Sequence, residues 1–403
     1  MSGNRKPFFF KGLRWMFAST AFRLSALSAS IFALIGVYMP FFPVWLEQRG
    51  LDGATIGVIL AVPIVVRIVV TAPLVGLTER GVDARVLLCV SQVCLAGIYL
   101  ALLGVGSAFA IAVIVGFAAV AQAALVPTSD LVTTDAVRDD PRLSYGSIRL
   151  WGSISFLVCS VGAGYLLAYA PADAVIYALS GMALLSAAVS LGVPVNPAAR
   201  AASSAERPKV KLPPALLWMI AGAALIQSSH SALYGFGSIL WRGQGFSEPA
   251  IGFLWAIGVV AEILLFWLIG RGIGRRFGGV SLMVVAAVAA MVRFAGLAFE
   301  PGLAVTLLLQ SLHGLSFGAA HLGIMAALTT LSPAGGRGRA QGLFAAGIAL
   351  AMASVMVTSG GLYQSLGPYI FLAMVPVAGT GAICVLVAAQ RLKAQPQSSG
   401  IGG

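Results

Sequence analysis

Charge is scarce in this chain. Of its 403 residues, 9% are charged and 59% hydrophobic, whereas a soluble domain carries roughly 25% charged residues. A soluble fold is excluded on that ground. Acidic residues are the scarcer sign, 13 against 25 Lys and Arg. There are only three histidines, His230, His313 and His321, and none lies in a loop. The four cysteines, Cys89, Cys94, Cys159 and Cys384, sit in apolar runs without metal-ligand spacing, so they read as buried small hydrophobes. GGRGR at 335–339 lacks the Lys-Ser/Thr of a phosphate loop, which leaves ATP-driven pumping unsupported. Asp135, Asp139 and Asp140 are poorly spaced for a magnesium-diphosphate site and read as a solvated loop. A membrane enzyme or sensor would need a cytoplasmic catalytic motif or an appended soluble domain, and the sequence shows neither. No cofactor is expected.

What fills the chain is long apolar runs. Crossing about 30 Å of hydrocarbon takes about 20 apolar residues in a helix, and only helices or closed barrels satisfy their backbone polar groups there. Barrel strands would alternate apolar with polar residues, and these runs do not. Breaks at charges, Gly and Pro predict spans near 22–46, 54–77, 85–104, 107–132, 145–169, 172–193, 215–241, 250–271, 279–299, 302–331, 338–363 and 367–390. The first run is too long for a signal peptide, although Arg5, Lys6, Lys11 and Arg14 precede it. The fold class expected is an all-α membrane protein of twelve transmembrane helices in two pseudo-symmetric six-helix bundles. Residues 1–193 form the first bundle, the Pro-, Ala- and Lys/Arg-rich stretch 194–214 a cytoplasmic linker, and 215–403 the second bundle.

A formal net charge of +12 would suggest a nucleic-acid partner in a soluble protein; here its placement reads as topology, and no nucleic acid is expected. With both termini inside, the cytoplasmic segments hold nineteen Lys and Arg and the external loops two, Arg49 and Arg242, with four more in or at the ends of spans. Retention of positive flanks in the cytoplasm therefore predicts a multi-pass protein of a bacterial-type inner membrane with both ends cytoplasmic. Sliding the chain by 195 residues places LDGATIGVILAVPIVVRIV (51–69) on FSEPAIGFLWAIGVVAEIL (246–264), with Trp45 or Trp241 just before each copy. Both copies enter a span from an external loop, as expected of parallel repeats. The offset pairs Arg67 with Glu262.

A charge at the centre of a span costs roughly 2.5–3.5 kcal/mol on insertion scales, so each one present needs a partner or an aqueous cavity. The chain keeps Arg67, Asp130, Arg149, Glu262 and Arg293 in its spans, together with the three histidines. Glu262 is either half of a static staple between helices or a carboxyl that takes up and releases one proton per cycle. Arg293 is its natural counter-charge, and Arg67 is a second candidate. Asp130 and Arg149 are expected close together across a short loop, as a salt bridge or as contacts for a substrate's carboxylate or hydroxyl groups. His313 and His321 are eight residues apart, about 12 Å along one helix, so no single metal binds both; each is either packed or cavity-lining. His230, with Tyr234 one turn on, sits among small polar residues, and Trp151, Tyr234 and Trp255 offer stacking surface.

These residues carry a resemblance. YGSIRLWGS at 145–153, HSALYGFGSILWRGQGFSEPAIGFLWAIGVVAE at 230–262, Arg293 and HGLSFGAAH at 313–321 resemble the phenylpropionate permease family of the major facilitator superfamily, over nearly the whole chain. A looser similarity runs to lactose permease, whose FG-x-x-R-x-x-G pattern is similar to Tyr145, Gly146, Arg149 and Gly152, with Asp130 near its acidic sugar-binding position. Glu262, Arg293 and His313 resemble three of that permease's proton-coupling residues, but Ser316 stands where it has a carboxylate. The helix 2–3 loop motif of the superfamily survives only in degraded form, as VGLTERGVDAR at 75–85 and GRGIGRRFGG at 270–279 with Arg276. The resemblance implies a monomeric proton symporter that imports a small organic solute by alternating access, driven by the proton gradient. Coupling then falls to Glu262, Arg293 and His313, and substrate binding to Asp130, Arg149, Arg67, His230, Tyr234, His321 and Trp151. An aromatic carboxylate is the expected cargo, with a sugar or nucleoside, or drug efflux by proton antiport, as alternatives.

Overall fold

The computed structural model describes residues 19–193, 210–273 and 277–394. Arg5, Lys6, Lys11, Arg14, linker residues 194–209 and Arg276 lie outside the described residues. Because no water reaches the hydrocarbon to satisfy backbone groups, apolar runs of this length close their hydrogen bonds internally as helices. In the first half these are α1 (Thr20–Gln48), α2 (Gly53–Glu79), α3 (Ala84–Ala101), α4 (Ala108–Ala123), α5 (Leu125–Asp139), α6 (Tyr145–Tyr169) and α7 (Ala174–Leu191). In the second half they are α8 (Pro214–Ser228), α9 (Ser231–Gly243), α10 (Glu248–Gly270), α11 (Gly279–Leu297), α12 (Leu303–Ser311), α13 (Ala320–Leu331), α14 (Arg337–Leu366) and α15 (Ile370–Ala394). Among the described residues no strand occurs.

Eleven stretches of the described residues are long and apolar enough to cross a membrane. Three combine shorter pieces: α4 with α5, α8 with α9, and α12 with α13 through a π-helical turn at Gly314–Ala319. The last, Arg337–Ala394, is 58 residues long and holds both α14 and α15. The chain turns between them at Gly367, whose φ of +52° suits a residue without Cβ. Counting that stretch as two is consistent with twelve crossings.

The internal repeat is visible in the helix starts. α2 and α10 begin at Gly53 and Glu248, α3 and α11 at Ala84 and Gly279, α4 and α12 at Ala108 and Leu303, each pair 195 residues apart. The turns before α2 and α10 repeat as well, since Gly50 and Gly245 hold φ of +77° and +84°. Ser107, Ser144 and Ser247 cap α4, α6 and α10 by accepting backbone N–H bonds.

Contacts divide the chain into two units, Met1–Trp45 with Val66–Ser203, and Leu46–Val65 with Ser204–Gly403. The division parts from the sequence boundary at the first half of α2, because Gly53 and Gly57 pack on Gly360 of α14 so closely that a Cβ at Gly57 would lie 2.8 Å from the Gly360 Cα. In lipid, apolar area gives helices no reason to associate, and small residues that let backbones approach do so instead. In the second unit a Cβ on Gly222 of α8 would lie 2.9 Å from the Gly381 carbonyl of α15. Around that contact Met219, Ala223, Ile226, Met283, Ala287 and Val385 form a core. In the first unit polar side chains join the helices: Ser30 and Ser186 hydroxyls are 2.8 Å apart, Gln92 donates to Ser190 at 2.9 Å, and Ser180 to the Ala96 carbonyl at 2.9 Å.

Candidate functional site

In the second unit, α8–α9, α10, α11 and the α12–α13 span bring a polar cluster together inside an apolar bundle. Arg293 of α11 is 1% exposed, too buried to be solvated by water. It donates from Nη1 to His313 Nδ1 at 3.1 Å and to Ser316 Oγ at 3.3 Å, and from Nη2 to Gln310 Oε1. Gln310 is itself held by donating to the Leu254 carbonyl at 3.0 Å. On the other side of His313, Nε2 lies 3.8 Å from Glu262 Oε2.

These partners assign the protons. Guanidinium has no acceptor, so His313 Nδ1 accepts and a neutral His313 carries its hydrogen on Nε2, facing the Glu262 carboxylate. His230 Nδ1 faces the Ile226 carbonyl at 3.2 Å and donates to it, which leaves Nε2 to accept from Ser316 Oγ at 3.0 Å. Two directional chains therefore start at Arg293: one through His313 to Glu262, the other through Ser316 and His230 to the Ile226 carbonyl. Among the described residues the cluster is neutral overall when Arg293 is cationic, Glu262 anionic and both histidines neutral. The Glu262 side chain keeps 23% exposure and His313 12%, so the carboxyl end of the chain is the more exposed end.

Local sequence makes this approach. A Cβ on Gly314 would strike the Ala261 carbonyl, one on Gly318 would lie 3.4 Å from Glu262 Cγ, and one on Gly258 3.3 Å from His313 Cβ. Three glycines thus let α10 and the α12–α13 span meet at the cluster. The π turn falls in the same place and carries Ser316 between Arg293 and His230. Such turns frequently mark functional sites.

The other candidate residues divide between this cluster and the first unit. His230 is 0% exposed with both ring nitrogens bonded, which places it as a support for the cluster, without a polar atom left for a substrate. Tyr234 is half-buried, its ring centroid 6.1 Å from His230 and 6.0 Å from Trp255, whose indole donates to Ser238 at 2.8 Å. His321 is half-buried, outside the cluster, and makes no hydrogen bond with the described residues. In the first unit Asp130 accepts from Tyr145 Oη at 3.0 Å, while the Arg149 guanidinium lies on the Phe32 ring, 3.7 Å from its centroid. Among the described residues Asp130 and Arg149 form no ion pair within 4 Å; Tyr145 takes the position at Asp130 instead. Gly152 leaves the room this needs, since a Cβ there would lie 2.8 Å from Arg149 Nη1. Trp151 is 52% exposed and, two residues on, is turned about 200° around α6 from Arg149, away from that group. Arg67 donates to Gln122 Oε1, and Gln122 donates to Tyr99 Oη at 2.7 Å.

Gln122, Tyr99 and Gln310 escape sequence reasoning, because neutral polar residues are common in spans, and Ser316 is legible there only as the residue standing where lactose permease has a carboxylate. The signal available was an amide in an apolar run, which needs a partner there.

A model of the MFS_1 like family matches residues 22–373. The chain is 30% identical over 357 residues to the probable 3-phenylpropionic acid transporter of Escherichia coli (strain K12), covering 85% of this chain and 91% of that protein. It is 27% identical over 302 residues to maltose permease of Geobacillus stearothermophilus, covering 72% and 74%. Among solved structures, a mutant of the nucleoside transporter NupG matches with a TM-score of 0.81 at 16% identity, over 92% of this chain and 100% of that one. These matches are to transporters and not to enzymes. The chain belongs to the MFS_1 like family and is a multi-pass membrane transporter of the major facilitator type.

Proposed function

We propose that this transporter imports a small organic anion, an aromatic carboxylate of the phenylpropionate kind, together with one proton, by alternating access across a bacterial inner membrane with both termini cytoplasmic. The observation that carries the reading is the Arg293–His313–Glu262 chain. Protonating Glu262 converts a neutral cluster into one of net charge +1, and a cluster of charge +1 favours an anion bound elsewhere in the protein. Proton and anion then each raise the other's affinity, which is reciprocal coupling. The proton gradient alone drives the cycle, and no cofactor takes part. Likeness to a probable 3-phenylpropionic acid transporter supports the cargo class. Likeness to a maltose permease supports a second reading, a neutral sugar as cargo with the same proton chemistry.

Uptake into proteoliposomes tests both readings. With the inside one pH unit alkaline, one coupled proton supplies about 1.4 kcal/mol and a tenfold accumulation of labelled 3-phenylpropionate. Glu262→Gln is expected to abolish accumulation and spare exchange. If neither acids nor sugars accumulate in the wild type, symport is refuted; full accumulation by Glu262→Gln removes Glu262 from the proton role.

A further inference from the structure

The first unit carries a counterpart of the coupling chain, built on the same three spans of its half. Shifted by 195 residues, Arg67 falls on Glu262, Tyr99 falls one residue from Arg293, and Gln122 falls four residues from His313. In both units the three residues lie in one row across the second, third and fourth spans of the half: Arg67, Gln122 and Tyr99 are joined by two hydrogen bonds, whereas Arg293 bonds His313 and the His313 ring stands 3.8 Å from Glu262. The chemistry is inverted. Where the second unit ends on a carboxylate with a histidine behind it, the first ends on a guanidinium held by an amide and a phenol, neither of which changes charge near neutral pH.

Arg67 stands fourteen residues into the 27-residue α2, at mid-span. Its side chain is exposed, and among the described residues no carboxylate lies within 4 Å of it. An uncompensated guanidinium at that depth has to face an aqueous cavity or an anion. Its Nη2 is fixed by Gln122, which is fixed in turn by Tyr99, 1% exposed. The arm is thus oriented before any ligand arrives. Beside it runs an aromatic row: Tyr38 stacks on Phe42 with centroids 4.6 Å apart, Phe42 on Trp45 at 5.7 Å, and Tyr38 sits 6.5 Å from Tyr99. Phe42, Trp45 and Tyr99 are buried, so Tyr38, half-buried, is the ring with a face to offer.

We infer that Arg67, oriented by Gln122 and Tyr99, is the anchor for the carboxylate of the transported anion, with Tyr38 providing the apolar surface for its hydrocarbon part. The guanidinium fork binds both carboxylate oxygens, a geometry a lysine does not reproduce. The inference rests on the reading of the chain as a carrier of a small organic solute and specifies which half of it takes the negative charge.

The test uses the full-length protein in detergent, with 3-phenylpropionate, the isosteric uncharged 3-phenylpropionamide and maltose as probes, and affinity read by tryptophan fluorescence. The wild type is expected to bind the acid at least tenfold more tightly than the amide. Arg67→Gln is expected to weaken the acid by about 10- to 100-fold and leave the amide unchanged. Arg67→Lys should fall between, and Tyr38→Ala should weaken acid and amide alike. Thermal melting of each variant shows whether it is folded; if Arg67→Gln does not fold, Gln122→Leu, which frees the guanidinium without removing it, should lower acid affinity several-fold. Unchanged acid affinity in a folded Arg67→Gln overturns the assignment, as does a wild type that binds the amide as tightly as the acid or binds only maltose. Gradient-driven maltose uptake abolished by Glu262→Gln would sink the anchor and leave the coupling cluster standing; Arg67-dependent acid binding without proton coupling would do the reverse.

Discussion

Replacing Ser316 by alanine removes one oxygen from a site with 0% exposure, so almost no cavity forms and the loss falls on hydrogen bonding. Two bonds disappear, from Arg293 Nη1 at 3.3 Å and to His230 Nε2 at 3.0 Å. Arg293 keeps His313 and Gln310 as acceptors, so its guanidinium stays hydrogen-bonded. His230 is hurt more, because its Nε2 becomes a buried acceptor without a donor. Hydrogen bonds between membrane helices average about 0.6 kcal/mol, with a maximum near 1.7. Two bonds, one leaving an orphan, therefore amount to about 1–2 kcal/mol. Unfolding by SDS in mixed micelles measures this, and a cycle with His230→Phe isolates the shared part. If Ser316 acts through the bond to His230, the two substitutions are non-additive by about 0.6 kcal/mol or more. Additivity within about 0.3 kcal/mol would refute the chain from Arg293 through Ser316 to His230.

Two other expectations follow from packing and from the first unit. Gly222→Ala forces a Cβ to 2.9 Å from a backbone oxygen and should destabilise by about 1–3 kcal/mol in the same assay, whereas Gly162→Ala, with nothing within 4 Å of the added Cβ, should be neutral or stabilising. Tyr145→Phe removes the donor to Asp130 and is expected to free that carboxylate to pair with Arg149, which spectroscopy of an isotope-labelled carboxyl would register as a shift in its stretching band; an unchanged band would show that Tyr145 is not its partner in the membrane.

Much of the architecture was legible because the bilayer constrains it so strongly. Apolar length gave the helices, and the 195-residue offset, read from residues 51–69 and 246–264, recurs in the starts of three helix pairs. The cluster was legible as composition, since charges at Glu262 and Arg293 are too costly in a span to lack partners. Its wiring was not. Sequence makes Arg293 the natural counter-charge of Glu262 but does not place His313 between them, because the register of facing helices depends on where Gly258, Gly314 and Gly318 allow close approach. The π turn that carries Ser316 leaves no propensity signal. Asp130 and Arg149 illustrate the same limit: proximity followed from a short loop, but whether the arginine pairs with the acid or lies on Phe32 was decided by side-chain direction and the space at Gly152.

Proton-coupled anion import through Glu262 is tested most directly by recording proton and 3-phenylpropionate fluxes together in the same proteoliposomes. One proton should enter with each anion, the pair should be electroneutral, and the ratio and the accumulation should not change when a potential of 100 mV is imposed, although such a potential is worth about 2.3 kcal/mol for a net charge of one. In Glu262→Gln the proton flux should vanish while anion exchange continues. Anion uptake without protons in the wild type, or a wild-type proton flux through Glu262→Gln, would contradict it.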